Sequence, residues 1–312
     1  MSDSSDTPAF DDLDQLDALL TDTRAKDTLT VSDIGEARDA IATFRDGDGT
    51  GSWNGLDRTE VADRLLDLVN NPRLIRQGDL NLCGPAALLL MWASRDPLGF
   101  ASFATTLYDN GSADLGDLSI TPKDTLLAQD YSSLSTRTFG ADWMLLSAIR
   151  NTDQPFWQSS WVGDPAQNFA ALTRPEELAS WLRATGIYAQ VSDEGNWTSP
   201  AGIPHATGIE FREGRDVALL INTNLLHDAR RSAALIDERF LLNLFPNHYI
   251  VGLNNISVAV MDGPQNDDGT LMFQKDDVLL SIWSWGESSF DLAVPQKSFV
   301  DNYYGAVIAD LP

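Results

Sequence analysis

Gln77-Gly-Asp-Leu-Asn-Leu-Cys83-Gly-Pro-Ala-Ala-Leu-Leu-Leu-Met-Trp-Ala93 is the stretch on which the fold turns. From Gly84 to Ser94 the pattern is apolar on every side. A helix with no polar face belongs in the middle of a core, so this one is expected to be central and buried. Pro85 suits its first turn, and Asp96-Pro97 closes it. The loop Leu74–Leu82 leads into it, and Asn81 is read as shaping that loop. The only cysteine of the chain heads the helix. There the unpaired N–H groups and the helix dipole favour a thiolate. Gln77, six residues earlier, carries an amide that can donate to an oxygen turning negative as sulfur attacks a carbonyl.

Outward from this helix, the two halves of the chain differ in period. On the N-terminal side, Val31–Phe44 has a helical pattern and Asp46–Gly55 is rich in glycine. Asp57-Arg-Thr-Glu60 reads as a capping box before Val61, Leu65, Leu68 and Val69, and Pro72 ends that helix. Residues 99–190 read as mainly helical. Thr173-Arg-Pro-Glu176 is a second capping box, Leu178, Trp181 and Leu182 are the buried face behind it, and Gly186 is the stop. After about residue 187 the period becomes two. Ile187–Val191, Val217–Asn222, Tyr249–Leu253, Ser257–Met261, Val278–Trp285, Phe290–Val294 and Ala306–Ala309 read as strands. Helices first and strands later give an α+β fold, with an antiparallel sheet in the C-terminal half and a catalytic groove between the halves. Residues 1–55 read as an acidic, partly flexible leader, with a small helix suggested by Leu13, Leu16, Leu19 and Leu20. Residues 56–312 read as one domain, helical over about 56–190 and β over 191–312.

Composition bounds the function. The chain has 312 residues, 46 acids against 21 bases and a net charge of −25. A field of that sign repels phosphate backbones and anionic lipid, so no nucleic-acid partner is expected. The acids are 37 Asp and 9 Glu, a bias that high-salt adaptation and GC-rich codon usage would each produce. One cysteine excludes an internal disulfide framework and a multi-cysteine metal site. No apolar run is long enough to span a bilayer, and the N-terminus lacks a signal-peptide pattern, so membrane insertion is not expected. The expected location is the cytoplasm, or outside the cell by a signal-independent route.

Two further motifs carry chemistry. Phe245-Pro-Asn-His248-Tyr-Ile-Val-Gly-Leu places a histidine at the mouth of a strand, where it can take a thiol proton and pass it to a leaving amine. Trp283-Ser-Trp-Gly286 ends a later strand. Together, Gln77, Cys83-Gly-Pro-Ala-Ala, His248 and Ser284-Trp-Gly resemble the papain-like cysteine peptidases in order and in the six-residue Gln-to-Cys interval. The nucleophile motif is most similar to the bacterial branch. The resemblance covers roughly residues 70–310 as a series of short motifs. It implies a papain-like fold and a thiol hydrolase acting on a peptide, isopeptide or side-chain amide bond of a protein or peptide substrate. Cys83 would be nucleophile, His248 base and acid, and Gln77 oxyanion donor, with no cofactor. Deamidation, transglutamination and acyl transfer on the same site stay open, as does the role of a bacterial effector or toxin. The family places an asparagine just before Ser-Trp-Gly to orient the histidine. Here that position is Trp283, whose indole only donates. Ser284, Asn254, Asn255, Asp262 or a backbone carbonyl would have to serve instead. The long interval from His248 to Trp283 implies an extra hairpin at about 262–274.

Each motif also has a plain structural reading. Cys83 can be a small buried hydrophobe, His248 a structural histidine and the WSWG run core packing. A non-catalytic binding or scaffold domain of the same fold is therefore the rival. His205, in a turn-rich loop, and His227, beside Asp228 and Arg230, are poorer bases. A zinc site from Cys83 and the three histidines lacks close ligand spacing. In Asp46-Gly-Asp48-Gly-Thr50-Gly-Ser-Trp-Asn-Gly-Leu-Asp57, the residues Asp46, Asp48, Thr50 and Asp57 resemble an EF-hand calcium loop, against a Gly/Asp linker reading. Trp53 and the terminal Asp fit such a loop poorly. Pro155-Phe-Trp-Gln-Ser-Ser-Trp161 reads as a packed aromatic cluster or as a loop lining the groove.

Overall fold

The computed structural model describes residues 31–152, 161–167, 172–230, 246–265, 271–284 and 290–312. Among these the helices are α1 Val31–Arg45, α2 Arg58–Asn70, α3 Cys83–Ala93, α4 Pro97–Asn110, α5 Asp124–Leu127, α6 Gly140–Thr152, α7 Pro175–Ala184, α8 Ile203–Gly208, α9 Asn224–Asp228 and α10 Gln296–Asn302. The strands are β1 Ala113–Leu115, β2 Leu118–Ile120, β3 Gln190–Asp193, β4 Arg215–Ile221, β5 His248–Gly252, β6 Ser257–Val258, β7 Val278–Trp283, β8 Phe290–Val294 and β9 Tyr303–Asp310. The fold is α+β, as the change of period implied.

α3 is the centre of the helical half. All of its residues are buried, and it packs against α4, α6, α7 and β5. α2 starts where expected, with the Asp57 carboxylate accepting the N–H groups of Thr59 and Glu60 at 2.9 and 3.0 Å. α7 starts one residue later than expected. Arg174, not Thr173, occupies its cap, and the Glu177 carboxylate, not that of Glu176, accepts the Arg174 N–H at 2.7 Å. The shift leaves the Thr173 side chain packed against Gly84, where an added Cβ would come within 2.4 Å of it.

The C-terminal half is a curled antiparallel sheet in the order β3-β9-β4-β5-β7-β6, with β8 also paired to β7. Alternation divides its side chains between two cores. Ala218, Leu220, Tyr249 and Val251 face the helical half. Val217, Leu219, Ile221 and Ile250 face the second layer with Leu225, Leu226 and Phe299 of α9 and α10. The expected hairpin is present in its described part: Gly263 N–H donates to Phe273 O at 3.0 Å and Met272 N–H to Pro264 O at 2.9 Å. The hairpin β1–β2 interrupts a region expected to be helical.

The expected leader boundary at residue 55 does not match the packing. α1 lies against α2 and α4 with Ala37, Ile41 and Phe44 buried in the main core, and the segment after it is buried at Trp53. The exposed face of α1 mixes charges of both signs, Glu36, Arg38, Asp39 and Arg45, and its three apolar residues at helical spacing carry this role. Residues 1–30, Pro155–Ser160 and the Asp267-Asp-Gly turn lie outside the described residues. Trp161 is buried, and its carbonyl accepts from Asn151 Nδ2 at 2.5 Å.

Candidate active site

Cys83 is the first residue of α3 and His248 the first of β5, so helix packing on the sheet brings the two chain halves together at these residues. The thiol Sγ lies 3.9 Å from the carbonyl oxygen of Asn247, to which it donates. The backbone N–H of Tyr249 also acts on the sulfur. The thiol therefore sits against the peptide groups on both sides of His248. It is not hydrogen-bonded to the imidazole in this arrangement. Strand alternation puts the ring on the face of Ile250, toward α9 and α10, while Tyr249 faces the helical half. Taking the thiol proton therefore requires the ring to turn toward α3 at the strand end.

The imidazole is held by Ser284. Continuing the register of Val251 with Trp283 by one residue sets Ser284 opposite Ile250, diagonal to His248 on the same face. Ser284 Oγ and His248 Nε2 are 2.8 Å apart. With Nε2–H donating to Ser284, Nδ1 keeps the lone pair a base needs. The other candidate orienters are occupied elsewhere. Asn254 brackets Ser281, donating to its Oγ at 2.9 Å and accepting from its N–H at 3.1 Å. Asn255 accepts from Phe211 N–H at 2.9 Å, and Asp262 accepts from Lys275 N–H at 2.7 Å. Trp285 and Gly286 lie outside the described residues.

Gln77 lies in the segment leading to α3. Its side-chain oxygen is buried without a hydrogen-bond partner, while its backbone carbonyl accepts from Thr138 Oγ1 at 2.7 Å. Asn81 takes the left-handed backbone conformation, φ 56°, at the turn into the helix. That matches its reading as a loop-shaping residue, since asparagine tolerates this region better than most side chains do.

An open groove was expected here, and the seam is closed instead. Gln77, Cys83 and His248 are only 3%, 5% and 4% exposed. Burial pushes the Cys83 thiol up to about 11, against smaller opposing effects from the N–H groups of Tyr249, Gly84 and Cys83 and from the Arg150 cation. Burial pushes the His248 imidazole down to about 3. Both changes have one cause: a low-dielectric surrounding penalises either charge alone. The resting pair is a neutral thiol and a neutral imidazole. Arg150 is itself fully buried and paired with Glu177 at 3.2 Å.

The remaining sequence candidates lie elsewhere. His205 bridges Tyr303 OH at 2.8 Å and Glu194 Oε2 at 2.9 Å, and His227 lies in the last turn of α9. In the calcium-like loop, Asp57 is engaged as the cap of α2. Arg58 reaches back over the loop, donating to Gly49 O at 2.9 Å and pairing with Asp109. Tyr108 OH donates to Thr50 O at 3.2 Å, and Trp53 is buried with its indole N–H on Leu107 O at 2.8 Å. These contacts fit a packed linker carrying its own cation. Among the described residues no group of three or more His, Cys, Asp or Glu is placed to hold a metal ion.

Sequence reasoning missed Thr138, Asp142 and Arg64. Thr138 and Asp142 hold the Gln77 segment from 61 and 66 residues away, and Arg64 holds it from ten. None of the described helices is long and apolar enough to cross a membrane. No protein-family model matches the chain, and a search of curated proteins returns no match.

Proposed function

We propose that the chain is a papain-like thiol hydrolase that cleaves a peptide, isopeptide or side-chain amide bond through Cys83 and His248. One observation carries the reading. The thiol at the head of a buried central helix rests against both peptide groups flanking a histidine whose Nε2 is paired with Ser284.

The chemistry follows from a neutral pair. As Sγ forms its bond to the substrate carbonyl carbon, the thiol proton passes to Nδ1 of His248. Either charge alone is penalised by burial, but the two arise together and attract each other. The carbonyl oxygen becomes an anion, faced by the Gln77 amide and the Cys83 backbone N–H. The imidazolium then protonates the nitrogen as the C–N bond breaks. Water, deprotonated by His248, attacks the thioester, and the Sγ–C bond breaks to release the acid. Another nucleophile in place of water gives acyl transfer or transglutamination, and a side-chain amide substrate gives deamidation.

A non-catalytic binding domain is the second reading, favoured by the burial of both groups. Alkylation of Cys83 by iodoacetamide, followed by mass across pH, separates the two. In a hydrolase a minor thiolate–imidazolium form persists between the two pKa values, so the rate stays flat from about pH 5 to 8. The same rate in His248→Ala falls about tenfold per pH unit. An inert thiol gives that steep fall in both chains, which overturns the hydrolase reading.

A further inference from the structure

Trp283 stands where the papain-like pattern has its orienting asparagine, and it does a different task. Its indole N–H donates to the carbonyl oxygen of Arg73 at 2.7 Å, across 210 residues of chain. Arg73 begins the segment that carries Gln77. The same segment is held at four further points. Arg64 Nη2 donates to Leu74 O at 2.5 Å. Asp142 accepts the Arg76 N–H at 2.6 Å, its other oxygen being paired with Arg64 Nε at 2.7 Å. Thr138 Oγ1 donates to Gln77 O at 2.7 Å, and Thr136 Oγ1 to Asp79 Oδ1 at 2.6 Å. Gly78, at φ +57°, lets Thr138 come this close, since a Cβ there would approach Thr138 Oγ1 to 2.3 Å. Trp283, Asp142 and Thr138 are buried, and the bond from Thr138 to Gln77 is fully shielded from competing water.

We propose that Trp283 and Thr138 are positioning residues for the oxyanion donor Gln77, and that the C-terminal end of β7 with the residue after it thereby sets both ends of the catalytic site: the indole of Trp283 fixes the Gln77 segment while the hydroxyl of Ser284 fixes His248. An oxyanion donor works only when aimed at the place where charge develops. The donor here sits on a loop, and a loop needs bracing to hold that aim. The bracing comes from α2, β7, α6 and the loop entering α6. The inference rests on the hydrolase reading above and deepens it.

The test compares two reactions of one sulfur. p-Nitrophenyl acetate acetylates Cys83: the Sγ–C bond forms, the C–O bond to p-nitrophenolate breaks, and the thiol proton leaves through His248. This passes through an oxyanion. Iodoacetamide displaces iodide from a saturated carbon and develops none. The ratio of acetylation to alkylation rates therefore reads oxyanion stabilisation, which a loss of packing alone would not alter selectively. Gln77→Ala is expected to lower the ratio roughly 100-fold. Trp283→Phe and Thr138→Val should each lower it at least about tenfold, with alkylation unchanged. Added to Gln77→Ala, either should cost nothing further. Thr138→Val, nearly isosteric, carries the test should Trp283→Phe fail to fold. A wild-type ratio in the soluble positioning variants, or a full additional loss in the Gln77→Ala background, overturns the positioning role. An unchanged ratio in Gln77→Ala removes the donor, and the role with it. Wild-type protein that is never acetylated at Cys83 overturns the hydrolase reading itself.

Discussion

His248 should make the protein less stable as pH falls, through a linkage that its removal abolishes. Burial holds the folded imidazole at about 3, against an ordinary value of 6.5. Below pH 6.5 the unfolded chain binds a proton that the folded chain does not. The stabilisation is therefore fully present above 6.5 and is lost progressively as pH falls toward 3. One pH unit in this window corresponds to about 1.4 kcal/mol. Going from pH 6.5 to 5.0 should thus cost ~2 kcal/mol, or several degrees in Tm for a chain of this size. The measurement is urea unfolding of wild type and His248→Gln at pH 7.5 and 5.0. Carboxylate titration is common to both chains and cancels in the difference, leaving the histidine. Wild type should lose ~2 kcal/mol more than the variant over that interval. Equal losses would refute the reasoning. A wild type that gains on the variant as pH falls would show a charged imidazole in the resting fold, paired with a thiolate, and would reverse the assignment of a neutral pair.

Two further outcomes follow from the same contacts. Ser284→Ala removes the partner of Nε2 at 2.8 Å and should slow acetylation of Cys83 roughly tenfold, while Asn254→Ala, Asn255→Ala and Asp262→Ala leave that rate near wild type. Asp216→Asn should destabilise the fold by about 3 to 5 kcal/mol in a denaturant melt. Asp216 binds Arg95 through two hydrogen bonds, at 2.8 and 3.1 Å, and accepts from Tyr188 OH at 2.8 Å. All three side chains are buried, and the substitution removes the negative charge facing a buried guanidinium.

The sequence made some features legible because their causes are local. Apolarity on all sides of Gly84–Ser94 is a property of one helix, so α3 and its burial could be read directly. The Asp57 cap acts across three residues and was read correctly. At α7 the same rule chose Thr173 over Arg174, since a glutamate at either 176 or 177 satisfies the pattern and only the helix start distinguishes them. The change from helical to alternating period located β3 to β9 to within a few residues. The docking of α1 is not legible from composition, because the acids that give residues 1–55 their character lie mostly outside this helix.

The candidate site divides along the same line. Gln77 and Cys83 are linked by a short interval, and His248 and Ser284 each stand beside a recognisable strand, so the residue types and their order were visible from the chain alone. Their contacts were not. Ser284 takes the ring nitrogen, rather than Asn254, Asn255 or Asp262, because the β5–β7 register puts it diagonal to His248. Trp283 holds Arg73 across 210 residues, and Thr138 holds Gln77 across 61. Separations of that size carry no local signal. The closing of the seam, with the charged forms of Cys83 and His248 both disfavoured, also arises only from packing. Sequence determined which chemistry-bearing groups the protein possesses and which elements carry them, because helix and strand propensities act over a few residues. Tertiary structure decided which groups meet, because sheet register and the burial of α3 set distances that no spacing along the chain encodes.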